Sequence, residues 1–365
     1  MNIILQEDLN YIYGKLSDED RKRFGNATIL ITGCGGFLGF SFMHFFLKFA
    51  ETLSIKKIIG LDTFILGKPF WIEELEQIYP GLLKLLNFDI SKDNLSNVPG
   101  IEKVSFIIHG ASIASPTFYR KFPIITLDAN IWGLRHLLDF YQNKDIRGLL
   151  FFSSSEIYGD PPPEQIPTSE DYRGNVACIG PRACYDESKR FGETMCYLFA
   201  KEFNMPITIA RPFNNFGPGM RIDDRRVPAD FAKCILEKRP IEILSSGTPT
   251  RTFCYVADAI TGYLKCLVYG KFDFFNIGIE TPEISVLELA RLYQTMGKKH
   301  FGYSEDVKYN KSDDQEYLTH NPNRRCPMIK KASQLLNYNP EVNVEKGVER
   351  FLQFLHFEKE RVRKI

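Results

Sequence analysis

The sequence lacks a long hydrophobic run and an excess of one charge, and each absence excludes a class of protein. There is no long hydrophobic run, because apolar stretches such as Gly148–Phe152 have the length of a strand and are too short for a transmembrane helix. There is no excess of one charge, because 46 basic side chains face 45 acidic ones. We therefore expect neither nucleic acid nor a membrane surface as a partner.

The eight cysteines show no CxxC spacing, and His300 and His320 have no metal-like partners nearby in the sequence. We expect reduced thiols and no bound metal. The N-terminal segment carries acids early and has no small-residue cleavage site, which is not typical of a signal peptide. These features predict a cytoplasmic protein.

The remaining composition is that of a globular protein, with 44% hydrophobic and 25% charged residues in 365. Short β-branched runs alternate with helical patterns, and this order predicts an α/β fold with a Rossmann doubly wound parallel sheet. The predicted strands are 27–32, 57–62, 83–89, 104–110, 148–153 and 206–210, and the predicted helices are 40–50, 123–141 and 182–203.

A glycine-rich turn follows the first predicted strand. Gly33, Gly36 and Gly39 have the spacing GxxGxxG directly before a helix, where backbone amides can approach a pyrophosphate. Asp62 ends the second strand 23 positions after Gly39, near the position of a carboxylate that binds the adenosine ribose and repels a 2′-phosphate. The pattern predicts NAD as the cofactor. The cofactor-binding residues expected are Gly33, Gly36, Phe37, Leu38, Gly39 and Asp62, with Asp89 and Ile90 at the adenine pocket.

Polar residues follow the fifth predicted strand at its carboxyl end, where ligands bind in open α/β sheets; Ser154 and Glu156 are the ones of interest. Tyr185 and Lys189 lie four positions apart on one face of a predicted helix. Because an ammonium favours a neighbouring phenolate, we expect Lys189 to lower the pKa of Tyr185, making Tyr185 a general base. Ser154 would hydrogen-bond the reacting hydroxyl, and Lys189 would also hold the nicotinamide ribose.

With these motifs the chain resembles the extended short-chain dehydrogenase/reductase family, and in particular its nucleotide-sugar enzymes, over about residues 27–354. The UDP-glucuronate decarboxylases are most similar in appearance. The segments that carry the resemblance are HGASIASP (109–116), SSSEIYGDP (153–161), GPRACYDESKR (180–190), ARPFNNFGPGM (210–220) and SSGTPTRTFCYVADA (245–259).

The resemblance implies that Tyr185 and Lys189 oxidise C4 of a nucleotide sugar, with Ser154 and Glu156 as further catalytic residues. In the decarboxylases the substrate is UDP-glucuronate, and its 4-keto form loses CO2 before hydride is returned. The resemblance also implies a homodimer that pairs helices 123–141 and 182–203. The substrate-binding residues that it implies are Ser115, Asn214, Arg226, Arg251 and Arg325.

Two departures leave other reactions open. Gly219 and Leu244 stand where the decarboxylases usually carry arginine and tyrosine, so the nucleotide base and the C6 substituent stay undetermined. The alternatives are a 4-epimerase or 4-dehydrogenase and a 4,6-dehydratase. A non-catalytic NAD-binding regulator is a remote alternative, since Ser154, Tyr185 and Lys189 are all present.

The domain organisation follows from these assignments. Residues 27–213 are predicted to form the NAD-binding Rossmann domain, and 253–280 to return to it, with 253–269 at the main sheet. Residues 214–252 and 281–350 are predicted to form a smaller C-terminal α/β lobe that binds the nucleotide sugar. Residues 1–26 are left as an N-terminal extension.

Overall fold

The computed structural model describes residues 2–363. Its strands are, in chain order, β1 (Thr28–Thr32), β2 (Lys57–Asp62), β3 (Leu83–Asn87), β4 (Phe106–His109), β5 (Gly148–Phe152), β6 (Ile207–Pro212), β7 (Asn215–Phe216), β8 (Ile241–Ile243), β9 (Thr250–Arg251), β10 (Cys254–Tyr255), β11 (Asp273–Ile277), β12 (Ile284–Ser285), β13 (Val307–Tyr309) and β14 (Arg324–Arg325).

The helices surround these strands. They are α1 (Ile3–Lys15), α2 (Asp18–Arg23), α3 (Phe37–Lys48), α4 (Phe70–Ile78), α5 (Pro116–Lys121), α6 (Pro123–Asp128), α7 (Leu134–Tyr141), α8 (Ala183–Phe203), α9 (Val227–Glu237), α10 (Val256–Val268), α11 (Val286–Phe301), α12 (Lys330–Leu336) and α13 (Val344–Arg363). A π-helical turn, Ala129–Gly133, joins α6 to α7, so the predicted helix 123–141 is one helical path. None of these helices is long and apolar enough to cross a membrane.

The centre of the fold is a seven-stranded parallel sheet in the order β11-β6-β5-β4-β1-β2-β3. Strands β1 and β5 are buried along their whole length, as expected where helices cover both faces of a sheet. The predicted doubly wound Rossmann sheet is confirmed. The order reverses between β1 and β4, which places a ligand crevice at the carboxyl ends of these two strands.

Residues 253–269 contact the main sheet mainly through a helix. These residues do return to the main sheet, but chiefly as helix α10, which packs against it and is buried at every position. The strand that joins the sheet beside β6 is β11, which follows this helix. The sequence of α10 is a mostly apolar run. Its hydrophobic periodicity alone does not tell a buried helix from a buried strand.

Residues 2–26 are part of the packed structure. Helix α1 contacts α10, α13 and α3, and buries Leu9 and Ile12 at 0% and 2% exposure. The Tyr255 hydroxyl donates to Asp8 at 2.6 Å, and Arg350 donates to the same carboxylate at 2.6 Å. The segment before β1 therefore ties helix α13 and the start of α10 to the sheet domain.

A smaller lobe lies beside the carboxyl ends of the main sheet. It contains a three-stranded sheet in the order β12-β9-β14 and a two-stranded sheet of β8 and β13. Arg251 of β9 and Arg325 of β14 are register partners in parallel strands. This pairing brings together two arginines that are far apart in the sequence. The predicted domain boundaries stay a prediction.

Candidate active site

A cleft of about 350 Å³ opens where the main sheet meets the smaller lobe. The loops after β1, β4 and β5 form its floor, as the strand order requires. Gly33 is needed at this crossing, because its φ is +71° and a Cβ atom there would lie 2.6 Å from the carbonyl oxygen of Gly110. The loops after β1 and β4 can therefore meet only through glycine.

One half of the cleft fits a dinucleotide. Gly36 caps helix α3 without a side-chain hydrogen bond, so the first amides of the helix have no side-chain acceptor at this cap. The buried hydroxyls of Ser112 and Ser153 line the cleft and have no hydrogen-bond partner among residues 2–363. The glycine turn and the start of the helix can bind a pyrophosphate, and the unpartnered hydroxyls can bind a ribose. The predicted cofactor residues Gly33, Gly36, Phe37, Leu38 and Gly39 all line this half.

Asp62 supports the glycine turn directly. Its carboxylate accepts from the amides of Gly35 at 2.9 Å and Phe64 at 2.8 Å. Burial raises its pKa, and these two amides oppose the shift. Asp89 and Ile90 do not line the cleft: Asp89 accepts from Ser91 in its own turn, and Ile90 is buried. Their place beside an adenine stays a prediction.

The structure brings Ser154, Tyr185 and Lys189 together in the cleft. Burial raises the pKa of Tyr185 to about 12, and the neighbouring Ser154 hydroxyl works in the opposite direction. Lys189 donates to the carbonyl oxygen of Phe152 at 2.9 Å, and its Nζ lies 5.6 Å from the centre of the Tyr185 ring. Burial lowers the pKa of Lys189 to about 7.

The expectation that Lys189 lowers the pKa of Tyr185 is therefore wrong. The reason is physical: burial disfavours both the phenolate and the ammonium. The sequence shows that the two side chains share a helix face, but it does not show how deeply that face is buried.

Glu156 lies at the centre of an ion cluster. Arg325 binds its two oxygens at 2.6 Å each, and Arg182 donates to one of them. Burial alone would raise the pKa of Glu156, but the two guanidiniums outweigh burial and hold the pKa well below its usual range. Glu156 is therefore an ionised, fully engaged carboxylate in this structure and not a free base.

Arg251 is a buried cation without an anion. It donates to the carbonyl oxygens of Thr250 at 2.7 Å and Pro322 at 2.6 Å. No carboxylate of the described residues lies within 4.0 Å of its guanidinium. Burial and then the neighbouring Arg325 lower its pKa to about 9. Such a group is stabilised by an anionic ligand.

The other predicted substrate residues divide into two groups. Asn214 and Arg226 line the cleft; Asn214 donates to the Thr252 carbonyl at 2.9 Å, and Arg226 pairs with Asp224. Ser115 does not line it, because its hydroxyl donates to the Asp224 carbonyl at 2.6 Å. Its assignment to substrate binding stays a prediction.

The two departures from the decarboxylase pattern lie in different places. A Cβ atom at Gly219 would lie 2.7 Å from the ring of Phe40, so this position faces helix α3. Gly219 is not among the residues that line the cleft. Leu244 does line the cleft, which also holds five arginines and three carboxylates: Arg182, Arg225, Arg226, Arg251 and Arg325, with Glu156, Asp230 and Glu242.

Sequence reasoning missed Arg182 and Tyr119. Arg182 lies three positions before Tyr185, at 4% exposure, and Tyr119 of α5 stacks on the Tyr185 ring with centroids 5.1 Å apart. Spacing along α8 was a usable signal for Arg182, since residues three and four apart share a helix face. Tyr119 has no comparable signal, because it comes from a separate helix. Within residues 2–363 we find no group of three or more His, Cys, Asp or Glu placed to hold a metal ion.

A parallel Rossmann sheet, a glycine turn at its crevice and a buried Ser–Tyr–Lys group define a dinucleotide-dependent enzyme of the short-chain dehydrogenase/reductase type. The sequence model of the NAD dependent epimerase/dehydratase family matches residues 29–278. The chain belongs to this family, and NAD is its cofactor.

Known relatives cover most of the chain. UDP-glucuronic acid decarboxylase 1 of Danio rerio is 35% identical over 347 residues, which cover 94% of this chain and 75% of that protein. UDP-glucuronic acid decarboxylase 6 of Arabidopsis thaliana is 32% identical, over 88% of this chain and 87% of that protein. The crystal structure of UDP-glucuronic acid 4-epimerase from Bacillus cereus with UDP-glucuronic acid and NAD is similar with a TM-score of 0.73 and 25% identity, over 91% of this chain and 99% of that one.

Proposed function

We propose that this protein is an NAD-dependent nucleotide-sugar enzyme that oxidises C4 of UDP-glucuronate and releases CO2, forming UDP-xylose. The observation that carries the proposal is Arg251, a buried cation with no carboxylate partner among the described residues, in the same cleft as Tyr185 and Lys189. A nucleotide sugar with a diphosphate and a carboxylate supplies an anion for Arg251. The similarity to UDP-glucuronic acid decarboxylases supports the same substrate.

Each side chain has a role that its position allows. The turn at Gly33, Gly36 and Gly39 with the start of α3 would hold the pyrophosphate of NAD, and Asp62 its ribose. When bound, NAD supplies a reversible hydride acceptor for C4. Tyr185 would take the proton of the C4 hydroxyl, and Ser154 would orient that hydroxyl. Lys189, whose buried amine has a pKa of about 7, would favour the Tyr185 phenolate once a ligand displaces it from the Phe152 carbonyl.

The arginines would orient the anionic parts of the substrate. Arg251 is the candidate for the diphosphate, with Asn214 and Arg226 on the nucleotide side. Arg325 and Glu156 lie nearer to Ser154, at the sugar end. Once C4 is a ketone, the C6 carboxylate belongs to a β-keto acid, and loss of CO2 leaves an enolate that a proton must quench. Positive charge at this end stabilises that enolate.

A second candidate is a UDP-glucuronate 4-epimerase, favoured by the likeness to the Bacillus cereus structure. Both candidates begin with the same oxidation and differ in whether the carboxylate is kept. Purified protein should be incubated with NAD and separately with UDP-glucuronate, UDP-glucose and GDP-mannose, and the products analysed by mass spectrometry. Loss of CO2 from UDP-glucuronate supports the decarboxylase, and an isomer of unchanged mass supports the epimerase.

The Tyr185→Phe variant serves as the control. It keeps the ring that stacks on Tyr119 and removes only the hydroxyl, so it should bind NAD and the sugar nucleotide yet lose turnover by about 100-fold or more. Ligand binding should be measured by thermal shift in the same preparation. If UDP-glucuronate neither reacts nor binds while another nucleotide sugar does both, the substrate assignment is wrong.

We also propose that the protein is a homodimer in the cytoplasm. Helices α6–α8 and the π-helical turn expose large apolar side chains, with Ile124 at 67%, Trp132 at 55% and Leu198 at 52%. The eight cysteines are all free thiols, as expected in a reducing compartment. Light scattering of the protein and of Trp132→Arg tests the dimer, with Ile78→Arg on α4 as the matched control, since Ile78 is 64% exposed elsewhere.

A further inference from the structure

Two carboxyl groups flank Arg182, and they are held very differently. Glu156 accepts hydrogen bonds from Arg182 and, at 2.6 Å each, two from Arg325. Asp186 receives no comparable bond: its Oδ2 lies 3.6 Å from Arg182 Nε, and its Oδ1 is buried without a partner in residues 2–363. The side chain of Asp186 is only 9% exposed.

This arrangement favours a neutral Asp186. A buried carboxylate with one oxygen unpartnered and the other 3.6 Å from its arginine is disfavoured, and a second negative charge beside the same arginine adds repulsion. Burial, and then the charge of Glu156, raise the pKa of Asp186 well above its ordinary value against the opposing effect of Arg182 and Arg325. The titratable and charged groups around Asp186 come from several elements. Cys184 and Tyr185 lie on α8, and Arg182 directly precedes this helix. The others are Glu156 after β5, Arg325 on β14 and Tyr119 on α5.

We propose that Asp186 holds a proton while Glu156 is ionised, so that the two carboxyls beside Arg182 carry one negative charge between them. Two arginines, Arg182 and Arg325, then face one negative charge at the sugar end of the cleft. Asp186 is thus a positioning residue that acts through Arg182 and never touches the substrate. Its proton keeps positive charge in excess for an anionic ligand, a consequence that rests on the proposed function.

The pH dependence of stability tests the proton itself, without any substrate. A carboxyl with a raised pKa in the folded state binds a proton there that the unfolded chain has already lost above about pH 4. Its contribution to stability is therefore largest below about pH 4 and is lost as the pH rises from there through the raised pKa. Asp186→Asn cannot ionise and keeps the shape of the side chain, so it should melt at the same or a higher temperature at neutral pH. Its advantage should grow by about 2 °C or more in alkaline buffer.

The opposite result would overturn the proposal. If Asp186 is an ionised partner of Arg182, Asp186→Asn removes half of a buried ion pair and lowers the melting temperature by several degrees at neutral pH. Infrared spectroscopy gives a second, direct measurement: a protonated carboxyl C=O band should be present at neutral pH in the natural protein and missing in Asp186→Asn. Identical bands in both proteins would also overturn the proposal.

Substrate binding tests the consequence. Between about pH 7 and about pH 9 the Kd of UDP-glucuronate should rise about tenfold more in the natural protein than in Asp186→Asn, because the second carboxyl ionises only in the natural protein whereas Arg251 is present in both. A pH dependence that persists unchanged in the variant would overturn the role in ligand binding. If UDP-glucuronate binds at no pH while the stability and infrared results hold, the proton assignment is supported and the proposed substrate is wrong.

Discussion

Arg325 binds both oxygens of Glu156, with Nη1 2.6 Å from Oε1 and Nη2 2.6 Å from Oε2. The two residues belong to different parts of the fold: Glu156 follows strand β5 of the main sheet, and Arg325 lies on β14 of the smaller lobe. This bidentate pair therefore fixes the lobe against the sheet at the cleft itself, where a change in lobe position moves Arg251 relative to Tyr185.

We expect Glu156→Gln to destabilise the protein by about 3 kcal/mol or more, because it leaves Arg182 and Arg325 buried without a carboxylate. The pKa of Glu156 is lowered below its ordinary 4.5 by the two arginines, which outweigh burial. Its contribution to stability is therefore present above about pH 4.5 and is lost as the pH falls further. Urea denaturation at neutral and acidic pH should show a gap between variant and natural protein that narrows on acidification.

Glu283→Gln is the matched control for this prediction. Glu283 pairs with Arg324 in the same lobe, but that arginine is 43% exposed, so the pair should contribute little. Equal losses in the two variants would show that burial of the Glu156 cluster has no special energetic effect.

Lys189→Met should remove activity and stabilise the fold. Burial lowers the pKa of Lys189 from 10.5 to about 7, so between these values the unfolded chain binds a proton that the folded protein lacks. The stability of the natural protein should therefore rise with pH over this window, and its deficit against the uncharged variant should be greatest near and below pH 7. Melting temperatures from about pH 6 to pH 10 measure this difference. A variant that melts lower at every pH would contradict it.

Arg251→Met should raise the KM for a nucleotide sugar by about 10- to 100-fold, because a charge-assisted contact to an anion contributes about 1.5–3 kcal/mol. The value of kcat should change less, since Arg251 is expected at the diphosphate rather than at C4. Arg324→Met is the matched control. Arg324 precedes Arg325, the register partner of Arg251, and carries an equal charge that is already paired with Glu283. Steady-state kinetics should separate the two variants, and equal KM values would argue against a diphosphate contact.

Leu9→Ala should lower the melting temperature by about 5 °C or more. Leu9 lies on the buried face of helix α1, so its truncation leaves a cavity. Ile3→Ala in the same helix is the control, since Ile3 is 50% exposed. Thermal denaturation of both variants tests whether the N-terminal segment is part of the cooperative core. Equal and small shifts would mean that α1 unfolds independently.

The sequence predicts the strands of the sheet well, but it predicts the ion pairs and the pKa shifts of the site poorly. Strand 57–62 matches β2 in full, because a β-branched run bounded by polar turns is a local signal. The ion pair between Glu156 and Arg325 has no local signal, since 169 positions separate the two residues. The pKa of Tyr185 was predicted in the wrong direction for the same reason: burial is set by segments distant in sequence, including α5 with Tyr119.

Because Glu156 and Arg325 are 169 positions apart, the two residues leave the ribosome at different times. A ribosome that adds about 5–20 residues per second exposes Arg325 roughly 8–34 s after Glu156. In that interval the strands that bind the cofactor have emerged, whereas the second arginine that neutralises Glu156 has not. The nascent chain can thus assemble its dinucleotide crevice first, and it completes the arginine pair around Glu156 only after Arg325 has emerged.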